Sequence, residues 1–445
     1  MTSDPEELHV DLGWLHAKPG LKWRRVGPDG LAAWVADMDF PAPRAVREAL
    51  ADLVSDADLG YPDWLHEAVP LREAFADRMA ERYGWSPDPA EVREFTDIIQ
   101  ALQVVLHVST APGDAVAMHL PAYRPFLDTL AVMHRRLVEV PIERSTAGWG
   151  SDPERFARDV AASGARALIL VNPHNPTGRC FTRQELESMA DVAAAHGLLV
   201  ISDEVHADLT YPPHQHIPFA SISAGTAART VTLTSATKAF NLAGIRCAVA
   251  HVGSPAVRRA LASLPPLLFG AASVPGVTAT LAAWRDGGPW LSAVLDRLDQ
   301  NRSTIGKVLR PLGIGYVPPD ATYLAWLDCR DLGLREDPAA FFLDQANVKL
   351  SPGSQFVGFR GVTAAGPDPA RVRRAVHPDQ IEPGAHHRKL KPVRRAVGDG
   401  FVRLNFATSG AVLTEICDRM SAALGRGMSP KPHRVPGTTS KDVSL

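Results

Sequence analysis

Three short runs of apolar or β-branched residues, each closed by a polar cluster, constrain this 445-residue chain more than any other feature. Ala167-Leu168-Ile169-Leu170-Val171 leads into Asn172 to Asn175. Leu198-Leu199-Val200-Ile201 ends at Ser202-Asp203 and continues to His206. Thr230-Val231-Thr232-Leu233-Thr234 runs into Ser235-Ala236-Thr237-Lys238. Uninterrupted runs of this length suit strands buried on both faces, as in a parallel sheet covered by helices. Helical signals stand between them. Asp152-Pro153 offers a capping side chain before a proline at the first helical position, with Phe156 and Val160 following and Gly164 as the stop. Thr182-Arg183-Gln184-Glu185 reads as a capping box, with Leu186, Met189 and Ala193 at helical spacing and Gly197 after them. The alternation predicts an α/β fold with a mostly parallel central sheet. In such sheets ligands gather beyond the carboxyl ends of the strands, which is where the three polar clusters fall.

The length exceeds one ordinary core and suits two domains. Phe95 to Ile99 reads as a strand end and Gln100 to His107 as the helix after it, and backbone N–H groups at such a helix start would suit a phosphate. From about residue 290 the pattern changes to a long helix, Trp290 to Leu309. Tyr323 to Leu327 then reads as a strand, and Phe401 to Phe406 alternates as a half-buried strand does. We expect a large domain over 45–289. A smaller α+β domain would be built from 1–44 and 290–426, with a basic insertion at about 359–399 and a disordered tail at 427–445. The insertion reads either as a solvated loop or as a basic lid that recruits a larger or acidic substrate.

A formal net charge of −2 gives no global reason to expect nucleic acid or an acidic membrane as partner. No apolar run approaches the roughly 20 residues that span a bilayer, and the acidic start lacks the basic and apolar segments of a signal peptide. Cys180, Cys247, Cys329 and Cys417 lie far apart, as free thiols of a cytoplasmic protein would. The sixteen histidines show no ligand spacing, so no metal is assigned.

Lys238 follows a strand among Ser235, Thr237, Asn241, Gly244 and Arg246. A partly buried lysine supplies the uncharged amine that an aldehyde cofactor needs, and Ser235 with Arg246 could hold a phosphate. Asp203 ends an apolar run, where a carboxylate needs a partner. A protonated pyridine nitrogen is one such partner; a helix cap or an ion pair is another. Asn172 to Gly178 is a turn by composition, or a turn that aims Asn175 at a phenolic oxygen. Tyr123 is either a core tyrosine or a ring stacked on a pyridine face. Tyr61 could reach a phosphate. Arg403 needs an anion, either a structural carboxylate or a substrate's α-carboxylate.

With these residues, the sequence from about Trp34 to Leu424 resembles the fold-type I pyridoxal-phosphate enzymes of the aminotransferase class I/II superfamily. Five segments narrow the resemblance: Trp34 to Phe40, Asn172 to Gly178, Ser202 to Asp208, His216 to Phe219, and Lys238 to Gly244. They are similar to the MalY/PatB branch, the cystathionine β-lyase-like carbon–sulfur lyases. The resemblance implies pyridoxal 5'-phosphate bonded to Lys238, which is also the catalytic base. Asp203 would pair with the ring nitrogen, Asn175 and His206 would lie near the phenolic oxygen, and Tyr123 would stack on the ring. Ser235, Arg246 and the backbone at Gln100 and Ala101 would bind the phosphate, and Arg403 the substrate carboxylate. It further implies a homodimer with shared active sites, Tyr61 coming from the neighbouring subunit. The implied reaction is β-elimination of cystathionine or another cysteine S-conjugate to thiol, pyruvate and ammonia. An aminotransferase would use the same residues, as would a specialist for a bulky cysteine conjugate. A regulatory protein built on this fold would not need the Lys238 site. Asp97-Ile98-Ile99-Gln100 departs from the small residues common at the phosphate turn of the superfamily.

Overall fold

The three apolar runs become neighbouring parallel strands of one sheet. In the computed structural model, which describes residues 8–57, 59–62, 70–146, 148–265, 268–357 and 398–427, the central sheet has seven strands. They are β1 (Val92–Phe95), β2 (Ala115–Leu120), β3 (Arg136–Pro141), β4 (Ala167–Val171), β5 (Leu199–Asp203), β6 (Thr230–Thr234) and β7 (Ala248–Val252). Their order is β1-β7-β6-β5-β4-β2-β3, and only β7 runs against its neighbours. β2, β4, β5, β6 and β7 are buried at nearly every position, because apolar side chains cover both faces. The capping box at Thr182 and Glu185 forms as read and starts the helix Arg183–His196. The proposed insertion at 359–399 falls almost wholly outside the described residues, as does the tail after Gly427.

Five helices matter for the site and its surroundings: α1 (Ile98–Ser109), α2 (Arg183–His196), α3 (Pro255–Ala262), α4 (Gly288–Leu309) and α5 (Gly410–Gly427). A second sheet of four antiparallel strands joins β8 (Gly315–Tyr316), β9 (Leu324–Asp328), β10 (Ser351–Pro352) and β11 (Phe401–Asn405) in the order β8-β9-β11-β10. Apolar residues of α4, α5, β9 and β11 form one core with Trp23, Met38 and Phe40 of the N-terminal segment.

β11 differs from the half-buried strand its alternation suggests, since all its residues are buried. Val402 and Leu404 enter the core of the second sheet. Arg403 and Asn405 turn instead toward backbone carbonyls of the segment 34–40. The period of two separates an apolar core from a polar site, not a core from water.

That segment, 34–40, is a strap between the two sheets. Asn405 donates to the carbonyls of Val35 and Asp37 at 2.5 and 2.6 Å. Asn241, three residues past Lys238, donates to the carbonyls of Met38 and Phe40 at 3.1 and 2.7 Å and accepts the Met38 N–H at 3.0 Å. Asp39 anchors the strap's end: it pairs with Lys22 at 3.0 Å and accepts the Trp23 indole N–H at 2.7 Å, all three residues being buried. Removing one member of a buried ion pair leaves a desolvated charge. Asp39→Ala should therefore lower unfolding free energy by about 3–5 kcal/mol, read as a fall in the urea midpoint; an unchanged midpoint would contradict the anchoring role.

Candidate active site

Lys238 is presented by a helical turn, Ala236–Ala239, that follows β6 directly. Ser235 caps the turn; its hydroxyl accepts the Thr237 N–H at 3.1 Å and donates to the Cys247 carbonyl at 2.5 Å. The Lys238 amine points back to the strap and donates to the Ala36 carbonyl at 2.9 Å. The Tyr323 hydroxyl donates to the same carbonyl at 3.0 Å. Burial pushes the Lys238 amine below the ordinary lysine range; Arg403 adds to that push, while Asp37 and Asp203 oppose it.

Asp203 ends β5, the strand beside β6. Its carboxylate accepts the Val205 N–H at 3.2 Å, yet burial pushes the carboxyl up to about 7. Asp203 and Lys238 line one cavity of about 600 Å³ with Tyr123, Asn175 and His206. The opposed shifts are what burial without direct pairing produces: each group is biased toward its neutral form.

Asn175 comes from the turn after β4. That turn is fixed by His174, which accepts the Gly178 N–H on its carbonyl at 2.7 Å and places Nδ1 2.8 Å from the Thr177 hydroxyl. Gly178, at φ +71°, lies so close to the loop before β9 that an added Cβ would fall 2.3 Å from Pro319 Cβ. The Asn175 side-chain oxygen, Oδ1, accepts from the Arg403 guanidinium at 3.1 Å. Arg403 also donates to the Trp34 carbonyl at 3.1 Å and lies over the Phe356 ring, 4.8 Å from its centre. It has no carboxylate partner among the described residues, and its Nε has none of any kind. Burial pushes this guanidinium down to about 10. His206 sits beside it, with Nδ1 unpartnered and the ring pushed down to about 3 by burial, then by Lys238 and Arg403.

At the far end of the cavity stand Ser235, Thr237, Arg246 and the start of α1. The helix begins two residues earlier than its sequence suggests, because Asp97 caps it. The Gln100 N–H donates to the Asp97 carboxylate at 2.9 Å and the Ala101 N–H to the Asp97 carbonyl at 3.0 Å. The amides left for an anion are those of Ile98 and Ile99. Arg246 pairs with Asp97. Tyr61 is 93% exposed and is not among the residues lining the cavity of its own chain.

These residues fit pyridoxal phosphate on their own chemistry. A buried amine biased toward its neutral form suits the aldehyde, and a buried carboxyl that lacks a cation suits the ring nitrogen. Arg403 Nε and His206 Nδ1 are buried without partners among the described residues, the two side chains lying near enough for Arg403 to depress the His206 ring, and arginine with helix-start amides suits the phosphate. The sequence assigned no role to the strap carbonyls, Tyr323 or Asn241. The motifs from Trp34 to Phe40 and from Lys238 to Gly244 contained two of the three, but which backbone carbonyl faces a side chain is invisible in a pattern of side chains.

The aminotransferase class I and II model matches residues 35–378. A putative cystathionine beta-lyase of Mycobacterium tuberculosis is 34% identical over 432 residues, which cover 92% of this chain and 95% of that protein. The cystathionine beta-lyase PatB of Bacillus subtilis is 30% identical over 415 residues, 91% of this chain and 96% of its own. A crystal structure of a putative PLP-dependent beta-cystathionase from Corynebacterium diphtheriae matches with a TM-score of 0.78 at 29% identity, over 94% of this chain and 98% of that one. The chain belongs to the aminotransferase class I and II family.

Proposed function

We propose that this protein is a pyridoxal-phosphate-dependent carbon–sulfur lyase that removes a thiol from cystathionine or another cysteine S-conjugate, leaving pyruvate and ammonia. The observation that carries the reading is one cavity lined by the Lys238 amine, the Asp203 carboxyl and Asn175, whose side-chain oxygen holds the carboxylate-free Arg403 at 3.1 Å. The relatives named as cystathionine beta-lyases support the reaction class.

Lys238 would hold the cofactor, with Asp203 toward the ring nitrogen, Asn175 and His206 toward the phenolic oxygen and Tyr123 toward the ring. Ser235, Arg246 and the first amides of α1 would serve the phosphate. When bound, pyridoxal phosphate supplies a protonated ring that draws electrons from the substrate's Cα. Arg403 takes the substrate α-carboxylate, with its fork already aimed by Asn175 and Trp34. The neutral Lys238 amine accepts the Cα proton. The Cβ–S bond then breaks, and the Lys238 ammonium returns a proton to the departing sulfur. Water completes the release of pyruvate and ammonia from what remains. The Ala36 carbonyl holds the free amine beside the cavity.

The same reading assigns residues 45–289 to the cofactor-binding domain, with 1–44 and 290–426 as the smaller one. It assigns a homodimer in which the exposed Tyr61 reaches the neighbouring site, and a cytoplasmic setting, which the four unpaired buried cysteines suit. Among the described residues no helix is long and apolar enough to cross a membrane.

Purified, cofactor-loaded protein given cystathionine or S-alkyl cysteines should release thiol and pyruvate in equal amounts without any added 2-oxo acid; strict dependence on a 2-oxo acid would instead mark an aminotransferase. Lys238→Ala should abolish that release, and thiol formation at the wild-type rate would sink the mechanism. Arg403→Gln should raise KM by about tenfold or more, the loss of charged hydrogen bonds to a carboxylate, and an unchanged KM would remove Arg403 from the substrate site.

Asp203 also makes a pH prediction for the cofactor-free protein. An unfolded chain loses the Asp203 proton near pH 3.9, whereas the folded one holds it to about 7. The stability this group contributes is fully present below the lower value and is lost as the pH rises to the upper one, on the order of 4 kcal/mol in all. Wild type should therefore lose unfolding free energy relative to Asp203→Asn as the pH is raised from about 5 to about 7. A difference that does not change with pH would contradict the burial argument.

A further inference from the structure

A second cavity, of about 360 Å³, opens at the opposite edge of the central sheet, where β4, β5 and β6 begin. Arg166 immediately precedes β4 and Arg229 immediately precedes β6. Between them lies the start of β5, whose Leu199 and Val200 N–H groups donate to the two arginine carbonyls at 3.1 and 2.9 Å. Two strand spacings separate the arginine backbones by roughly 10 Å, a gap that two guanidinium side chains can close around one ligand. Both residues line the cavity, no Asp or Glu does, and neither guanidinium has a carboxylate partner among the described residues.

Capping of nearby helices does not account for these charges. Arg229 makes one long contact, 3.5 Å to the Ala193 carbonyl of α2, which already accepts the Leu198 N–H at 2.9 Å. The carbonyls at the end of α1 are served by Arg135, at 3.2 Å to Leu106 and 2.7 Å to Thr110. Among the described residues most of the ten N–H donors of the two guanidiniums have no protein acceptor, Arg166 being exposed and Arg229 half-buried.

Ser254 supplies an independent sign of a ligand. It is only 7% exposed and lines the cavity, yet its hydroxyl has no hydrogen-bond partner among the described residues. It stands at the start of α3 without capping it. The next amides, of Ala256 and Val257, belong to the first turn and lack intrahelical acceptors; both residues line the same cavity. An unpartnered hydroxyl on a buried serine, two helix-start amides and two arginines without carboxylate partners are the donor set of a tetrahedral oxyanion.

We propose that this cavity binds an oxyanion of the phosphate class, either inorganic phosphate or the phosphate group of a monoester. Arg166 and Arg229 supply the charge, and Ser254 with the α3 amides fixes the position. The site is separate from the Lys238 cavity and does not depend on the reaction assigned there.

The test uses protein saturated with pyridoxal phosphate, so that the phosphate subsite of the active site is filled. Inorganic phosphate and glycerol 3-phosphate, a monoester without an α-amino-acid group, are titrated in separate calorimetric arms. At least one should bind with one-site stoichiometry, and the Arg166→Gln/Arg229→Gln variant should bind it at least about tenfold more weakly with its visible cofactor absorbance unchanged. Binding of both probes, each weakening the other when titrated together, would name inorganic phosphate and monoesters as alternative occupants; binding of one alone would name that one. No binding to the loaded wild type, or equal binding to the variant, overturns the proposal. Should the variant fail to fold, wild-type protein is labelled with phenylglyoxal: the probe should slow modification of Arg166 and Arg229 selectively, and equal rates with and without it overturn the site.

Discussion

A lysine amine enclosed in a protein cavity, with a backbone carbonyl as its hydrogen-bond partner, gives up its proton more readily than one in water. Lys238 is in that position against the Ala36 carbonyl. Asp203, one strand away, is under the mirror-image pressure. A direct contact between the two would let each keep its charge and leave nothing for a ligand. Held apart across a cavity, each lacks what a ring carrying both an aldehyde and a basic nitrogen would bring.

Keeping them apart is the work of the fold. Parallel strands β5 and β6 fix where the two residues leave the sheet, and the turn capped by Ser235 lifts Lys238 over the strand ends. The strap closes the other side, tied to the large sheet through Asn241 and to the small one through Asn405 and Arg403. Each tie is a side chain satisfying backbone carbonyls, which a strap without a sheet partner of its own needs. The same bonds aim Arg403, so the segment that confines the amine also orients that guanidinium.

Much of this was readable from the sequence, for identifiable physical reasons. Strands buried on both faces are uniformly apolar, so their polar ends stood out at Asn172, Asp203 and Ser235. Caps depend on local spacing alone, and Thr182 with Glu185 and Asp152 with Pro153 formed as read. Non-local partners were out of reach. The alternation over β11 reads as a surface strand unless one knows that the strap covers its polar face. The start of α1 moved because Asp97, three residues before Gln100, takes the cap. That leaves the Ile98 and Ile99 amides for an anion and gives Arg246 a carboxylate neighbour. Tyr323 carried no signal at all, since its role depends on a carbonyl nearly three hundred residues away in the chain.

Lys238 is the amine on which the proposed cofactor attachment depends. Reducing the loaded protein with borohydride fixes the cofactor to whichever amine carries it, and peptide mass spectrometry then locates the adduct. A single pyridoxyl group on Lys238 is the predicted result. An adduct on any other lysine, with Lys238 unmodified, would contradict it.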